Sequence, residues 1–178
     1  MNKQFCKCGL MFAVRGVGLV FAAEVRADDA SCKPVRDAML AMTAVKYGAK
    51  IVTTQLNRKP IVNEEIYTLD ATYHQLLGRW IKTPTSPQRE LEGEKSIDSS
   101  FTDCHRLGGA AINGEAVTVY TAKTQNRTLV PFAGDLKLWI SVKSRVPLRS
   151  EANASIPLLG SSHTVKTYTY ANVRPPLM

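Results

Sequence analysis

The stretch Asp135 to Glu151, D-L-K-L-W-I-S-V-K-S-R-V-P-L-R-S-E, decides the fold. Leu136, Leu138, Ile140 and Val142 alternate with Lys137, Trp139, Ser141 and Lys143. A period of two sends successive side chains to opposite faces, so this is a strand with one buried side. Lys143-Ser144-Arg145 breaks the pattern, and Val146, Leu148 and Arg149 open a second extended run. Pro147 holds Val146 out of the helical region and lacks an N–H, so that second strand starts there or lies at an edge. The segment reads as a β-hairpin. Its inner face is aliphatic, and its other face carries Trp139 between two lysines.

Upstream, the period changes once. Asp28-Asp29 and Ala30-Ser31 make a helix start, and Pro34 suits the first turn. Val35, Ala38, Met39, Met42 and Val45 fall three and four residues apart as one apolar stripe, and Gly48 is the expected terminator. That stripe cannot be buried by the helix alone, so it must lie on a sheet. From Ala49 the period is two. Strands are expected over 50–56, 61–69, 72–77, 79–82, 116–122 and 163–173, with an ordered element over 101–107. Asn113-Gly114 is a strong hairpin signal, while 123–131 and 152–160 read as loops. Residues 86–99 turn polar and fit either a short exposed helix or a mobile loop. The total is seven to nine strands with one helix, a mainly β, α+β chain. It is expected to form a curved antiparallel meander with the N-terminal helix on one face.

The ends bound the setting. Lys3 and Lys7 precede a mostly apolar, small-residue run from Leu10 to Ala23, and Val25-Arg26-Ala27 suits a signal peptidase. Residues 1–27 are therefore expected to be a removed signal peptide, leaving 28–178 as a single exported, soluble domain in the periplasm. The removed segment carries Lys3, Lys7, Arg15 and Arg26 against Glu24, so a full-chain charge of +8 falls to +5. These charges are dispersed, with no Lys/Arg run interleaved with aromatics, which argues against nucleic acid as a partner. No later segment is apolar enough for stable membrane insertion. Cys32 and Cys104 are the cysteines left in the mature chain, and an exported pair is most simply a disulfide. A thiol nucleophile beside His105 is the alternative.

A search for chemistry returns little. His74, His105 and His163 lie at no metal-ligand spacing, so neither a metal nor a cofactor is assigned. Gly160-Ser161-Ser162-His163 is not the G-x-S-x-G elbow, so a small hydrolase centred on His163 or His105 has no motif behind it. No catalytic residue is named. What recurs is aromatic and branched material on the strands: Tyr67, Tyr73, Trp80, Tyr120, Trp139, Tyr168 and Tyr170, together with Leu138 and Ile140. These either fill an ordinary core or line a ligand cavity.

The order of the pieces is similar to a known family. Ala49 to Thr54, Asn63-Glu64-Glu65-Ile66-Tyr67, Gly78-Arg79-Trp80, Thr102-Asp103-Cys104 and Asn113-Gly114-Glu115 with Val119-Tyr120 are the first part. Leu138-Trp139-Ile140-Ser141 with Pro147-Leu148-Arg149, and Tyr170-Ala171-Asn172-Val173, complete it. Together they resemble LolA-like exported bacterial proteins, the periplasmic lipoprotein carriers and their lipoprotein-binding and regulatory relatives. Arg145 stands where glycine would be expected in the turn before Pro147. The resemblance implies an incomplete, strongly curved β-barrel whose concave face is covered by helices. It also implies an apolar cavity that takes a lipid or a lipoprotein acyl chain, without catalysis. A protein-interaction or stress-sensing module of the envelope, using a strand edge or the Lys/Trp face, is the alternative on the same fold.

Overall fold

Residues 30–86, 97, 100–126, 132–156 and 160–177 are described by the computed structural model. A 3₁₀ turn, Ala30–Cys32, leads into helix α1, Lys33–Thr43, with Pro34 in the first turn where a missing N–H costs nothing. The first four strands are β1 Tyr47–Gln55, β2 Ile61–Thr68, β3 Ala71–Leu76 and β4 Arg79–Pro84. Five more follow: β5 Phe101–Ile112, β6 Glu115–Asn126, β7 Phe132–Ser141, β8 Pro147–Ile156 and β9 Gly160–Thr169. They form one sheet in the order β4-β3-β2-β1-β9-β8-β7-β6-β5, antiparallel throughout. The first strand pairs with the last in the middle of the sheet, so β4 and β5 are its two edges. The sheet is curved and open, and does not close into a barrel.

The opening hairpin forms as its alternation requires. Leu138 and Ile140 are buried and Trp139 is half-buried on the other side. Val142 departs from the stripe. It is 61% exposed because the strand ends at Ser141 and Val142 enters the turn. That turn holds Arg145 at φ 61°, a left-handed conformation that glycine adopts without strain. The helix also ends earlier than its stripe suggests. The N–H groups of Ala44 and Val45 close its last turn on Ala41 and Met42, and the Tyr67 hydroxyl donates to the Thr43 carbonyl. Gly48 is consequently a strand residue, paired with Ile66 and Thr169, and not a helix terminator. Two loops expected from polarity are partly strand: β6 runs to Asn126 and β8 to Ile156. The polar segment 86–99 lies mostly outside the described residues.

The helix sits over β5 to β7. Val35 and Ala38 pack with Phe101, Cys104, Ala122, Leu138 and Ile140 in one buried cluster, and Ile97 packs against it. Cys32 and Cys104 are bonded, with Cα atoms 5.0 Å apart, so a disulfide fixes the start of α1 to edge strand β5. The alternative of a free thiol is thereby removed. A second cluster, Met42, Tyr47 and Ala49, gathers under the end of the helix with Tyr67, Tyr168 and Tyr170 against it. Glycine has a structural reason at position 134, where a Cβ would collide with the Asn153 carbonyl oxygen.

Candidate ligand-binding face

Register assigns every strand residue to one of two faces. Pairings carry the face of Leu138 across the sheet to Tyr120 on one side and to Ser150 and Lys166 on the other. Lys166 is opposite Ile51, and Ile51 opposite Asn63. A neighbouring row reads Tyr168, Ala49, Glu65, His74, Ile81, and a third reads Tyr47, Tyr67, Thr72, Thr83. All of these share the face on which α1 lies, here called the helix face.

The sequence-derived candidates divide between the two faces. Tyr67, Tyr120, Leu138, Ile140 and Tyr168 are on the helix face by register, and Tyr170 joins them through its ring contact with Tyr47. Tyr73, Trp80 and Trp139 are on the outer face. There Lys82 lies over the Tyr73 ring at 5.7 Å, and Lys137 and Arg149 approach the Trp139 ring at 4.9 and 5.4 Å. The structure therefore brings together only some of the aromatics. Leu138, at 1% exposure, is core beneath α1.

Tyr47 organises the rest. Its ring stacks on Tyr67 at 5.4 Å and meets Tyr168 edge-on at 5.8 Å. The hydroxyls are all engaged: Tyr47 donates to Glu65 Oε1 at 2.9 Å, Tyr170 to the Pro147 carbonyl at 2.5 Å, and Tyr168 is 3.1 Å from Ser150 Oγ. Among the described residues no buried side-chain nitrogen or oxygen lacks a partner. Burial pushes Tyr47 above the usual tyrosine range, and the adjacent Glu65 carboxylate pushes it further. Burial likewise raises Tyr168 and Tyr170. These are neutral, satisfied rings forming a fixed wall.

Between the tyrosine wall and the helix-covered cluster lies a floor that α1 leaves partly open. Ile51, Thr53, Leu136, Ala152 and Thr164 are half-buried there, and the side chains are short except for Ile51 and Leu136. Toward edge β4 the same face shows Ile61, Leu76 and Ile81, each about half exposed. A groove of about 330 Å³ flanks the start of α1, with Tyr120 and Ile140 in its wall. A larger cleft of about 450 Å³ lies on the outer face, between β1, β2, β9 and residues 171–174. Lys50, Glu64 and Arg174 line it, so an apolar chain placed there would strip water from charges.

Tyr47, Glu65, Ile51 and Lys166 were not among the sequence candidates. A signal existed: Glu65 has the strand parity of Tyr67, and Tyr47, Ala49, Ile51 and Thr53 continue one alternation. His105 and His163 lie away from this face. Each meets a neighbouring side chain at 2.8 Å, His105 with Asp103 and His163 with Asn153. Among the described residues no group of three or more His, Cys, Asp or Glu could hold a metal, and no helix is long and apolar enough to cross a membrane.

No family model matches the sequence, and no curated protein matches it. Solved structures do. The lipoprotein LppX of Mycobacterium tuberculosis superposes with a TM-score of 0.50 at 13% identity, over 84% of this chain and 97% of that one. LprF of Mycobacterium bovis gives 0.44 at 11% identity, over 80% of this chain and 94% of its own. The MucA/MucB complex of Pseudomonas aeruginosa gives 0.49 at 10% identity, covering 82% of this chain and 58% of that one. At such identities the likeness is one of fold. The resemblance carried by the W-I-S…P-L-R hairpin holds at that level: the chain has a LolA-like fold, open along both edges.

Proposed function

We propose that this protein is an exported, non-enzymatic binding protein that holds a lipid or lipoprotein acyl chain on the helix face of its sheet. The observation that carries the proposal is the half-buried floor of Ile51, Leu136 and Ala152. It lies between two apolar clusters on the face that α1 covers in part. Each methylene buried there contributes roughly 0.8 kcal/mol, so a chain of ordinary length binds without any catalytic group. Export with removal of residues 1–27, and action in the periplasm by the single domain 28–178, belong to the same reading. The likeness of fold to a lipoprotein supports it.

Native mass spectrometry of protein purified without detergent tests the proposal. Acyl lipids are expected to co-purify, and Ile51→Glu is expected to empty the protein while Val52→Glu, on the outer face, leaves it loaded. A protein that is empty as purified, and whose unfolding is unmoved by added fatty acid, contradicts it. One observation favours a second reading, an envelope protein partner. Trp139 is held between Lys137 and Arg149 on the outer face, as a recognition aromatic would be.

A further inference from the structure

We infer that the bound amphiphile is anionic and that Lys166, assisted by His74, holds its headgroup; this rests on the acyl-chain reading above. The register gathers charge at one place on an otherwise neutral floor. Lys166 on β9 and His74 on β3 flank Glu65 on β2, with Nζ 3.6 Å and Nδ1 3.3 Å from the same oxygen, Oε2. The other oxygen, Oε1, already accepts from Tyr47.

The three partners differ in what they have left to give. The Glu65 side chain is 11% exposed and both its oxygens are engaged, so it is a poor site for a ligand cation. The Lys166 side chain is 33% exposed and that of His74 is 50% exposed. An ammonium has three donors, and one long contact to Glu65 leaves two for another acceptor. Arg79 adds to the same sign. It is cross-strand from Leu76, two residues along β3 from His74 on the same face, and has no ion pair among the described residues. One carboxylate with both oxygens engaged stands against Lys166, with the His74 imidazole beside it and Arg79 further along the same face.

The apolar surface begins beside it. Ile51 is directly opposite Lys166, and Ile81 directly opposite His74. An amphiphile with its anion at Lys166 Nζ can lay its chain across Thr164 toward Ala152 and Leu136, with Ile51 flanking the headgroup. There it gains a charge-assisted hydrogen bond at one end and apolar burial along the rest. A neutral headgroup gains only the second. A fatty-acid carboxylate and a lysophospholipid phosphate both present this chemistry.

The test is displacement of a neutral fluorescent dye from the full chain by oleate, oleoyl lysophosphatidate and the neutral monooleoylglycerol. Wild type should prefer one or both anionic probes to the neutral one by about tenfold. The preferred anion identifies the source as carboxylate or phosphate. Lys166→Met should abolish the preference for the anionic probes, while Lys166→Arg keeps it. A readout on wild type alone guards against misfolding of the variant: raising salt should weaken the anionic probes several-fold and spare the neutral one. Equal affinity for all three probes, or a preference that survives Lys166→Met, overturns the headgroup assignment and leaves the acyl-chain reading standing. Failure of every probe to bind overturns both.

Discussion

On β1, β9, β8 and β7 the two faces of one sheet are written by alternate letters of the same sequence. The helix face takes Ala49, Ile51, Thr53, Thr164, Lys166, Ser150, Ala152, Gly134, Leu136 and Leu138. The outer face takes Lys50, Val52, Thr167, Val165, Arg149, Glu151, Asp135, Lys137 and Trp139. Charges on the outer face pair locally, as Lys123 with Asp135 at 2.5 Å and Arg149 with Glu151 at 2.6 Å. Exposed pairs of this kind contribute little to stability and much to keeping the face wet. The helix face is instead small, hydroxylated or aliphatic, and among the described residues α1 and Ile97 pack over part of it. The difference teaches where tight packing stops: among the described residues the α1 end of the helix face is core, and its β1–β9 end is half-buried.

The largest effect comes from uncoupling that cover. Reducing the Cys32–Cys104 bond releases a 72-residue constraint, which chain-entropy arithmetic puts at up to ~4 kcal/mol. Calorimetry with and without reductant should show the melting temperature fall by roughly 10 °C. An unchanged melting temperature would mean that α1 is held by packing alone. Next in size is a pair of neighbours on opposite faces. Leu138→Ala should cost about 3 kcal/mol in urea denaturation, and Lys137→Ala less than ~1 kcal/mol. Similar costs would break the distinction between the faces.

The tyrosine wall predicts an alkaline limit. Tyr47, Tyr168 and Tyr170 are held neutral in the fold, with burial the leading cause. In the unfolded chain they ionise near pH 10. Their contribution is therefore complete below about pH 10 and declines as pH rises above it. Urea midpoints at pH 9 and pH 11 should fall steeply in wild type and less so in Tyr47→Phe. The smallest effect is a gain. Arg145 sits at φ 61°, so Arg145→Gly should stabilise by up to about 1 kcal/mol, read by the same denaturation.

How much of this was legible follows from sequence distance. The hairpin of Leu138 and Trp139 was readable because alternation is local, and so was the assignment of those two side chains to opposite faces. Tyr47 was hidden because Val45 prolongs the helical stripe and Gly48 imitates a terminator. Glu65 and Lys166 were hidden for a different reason. They meet because β1 and β9 pair, a contact as distant as Thr53 with Thr164, which are 111 residues apart at 3.2 Å. No local pattern names a partner at that range. Trp80 and Tyr73 went to the outer face by the register of the β2–β3 and β3–β4 hairpins, although as aromatics they looked equivalent to Tyr67.

Paramagnetic broadening of side-chain methyl signals by a doxyl-labelled stearate tests the central claim most directly, because adjacent residues report opposite faces. The methyls of Ile51, Ala152 and Leu136 should broaden at low equivalents of the probe, while those of Val52 and Val165 stay sharp. Equal broadening of the two sets, or broadening of Val52 and Val165 first, would contradict a ligand on the helix face.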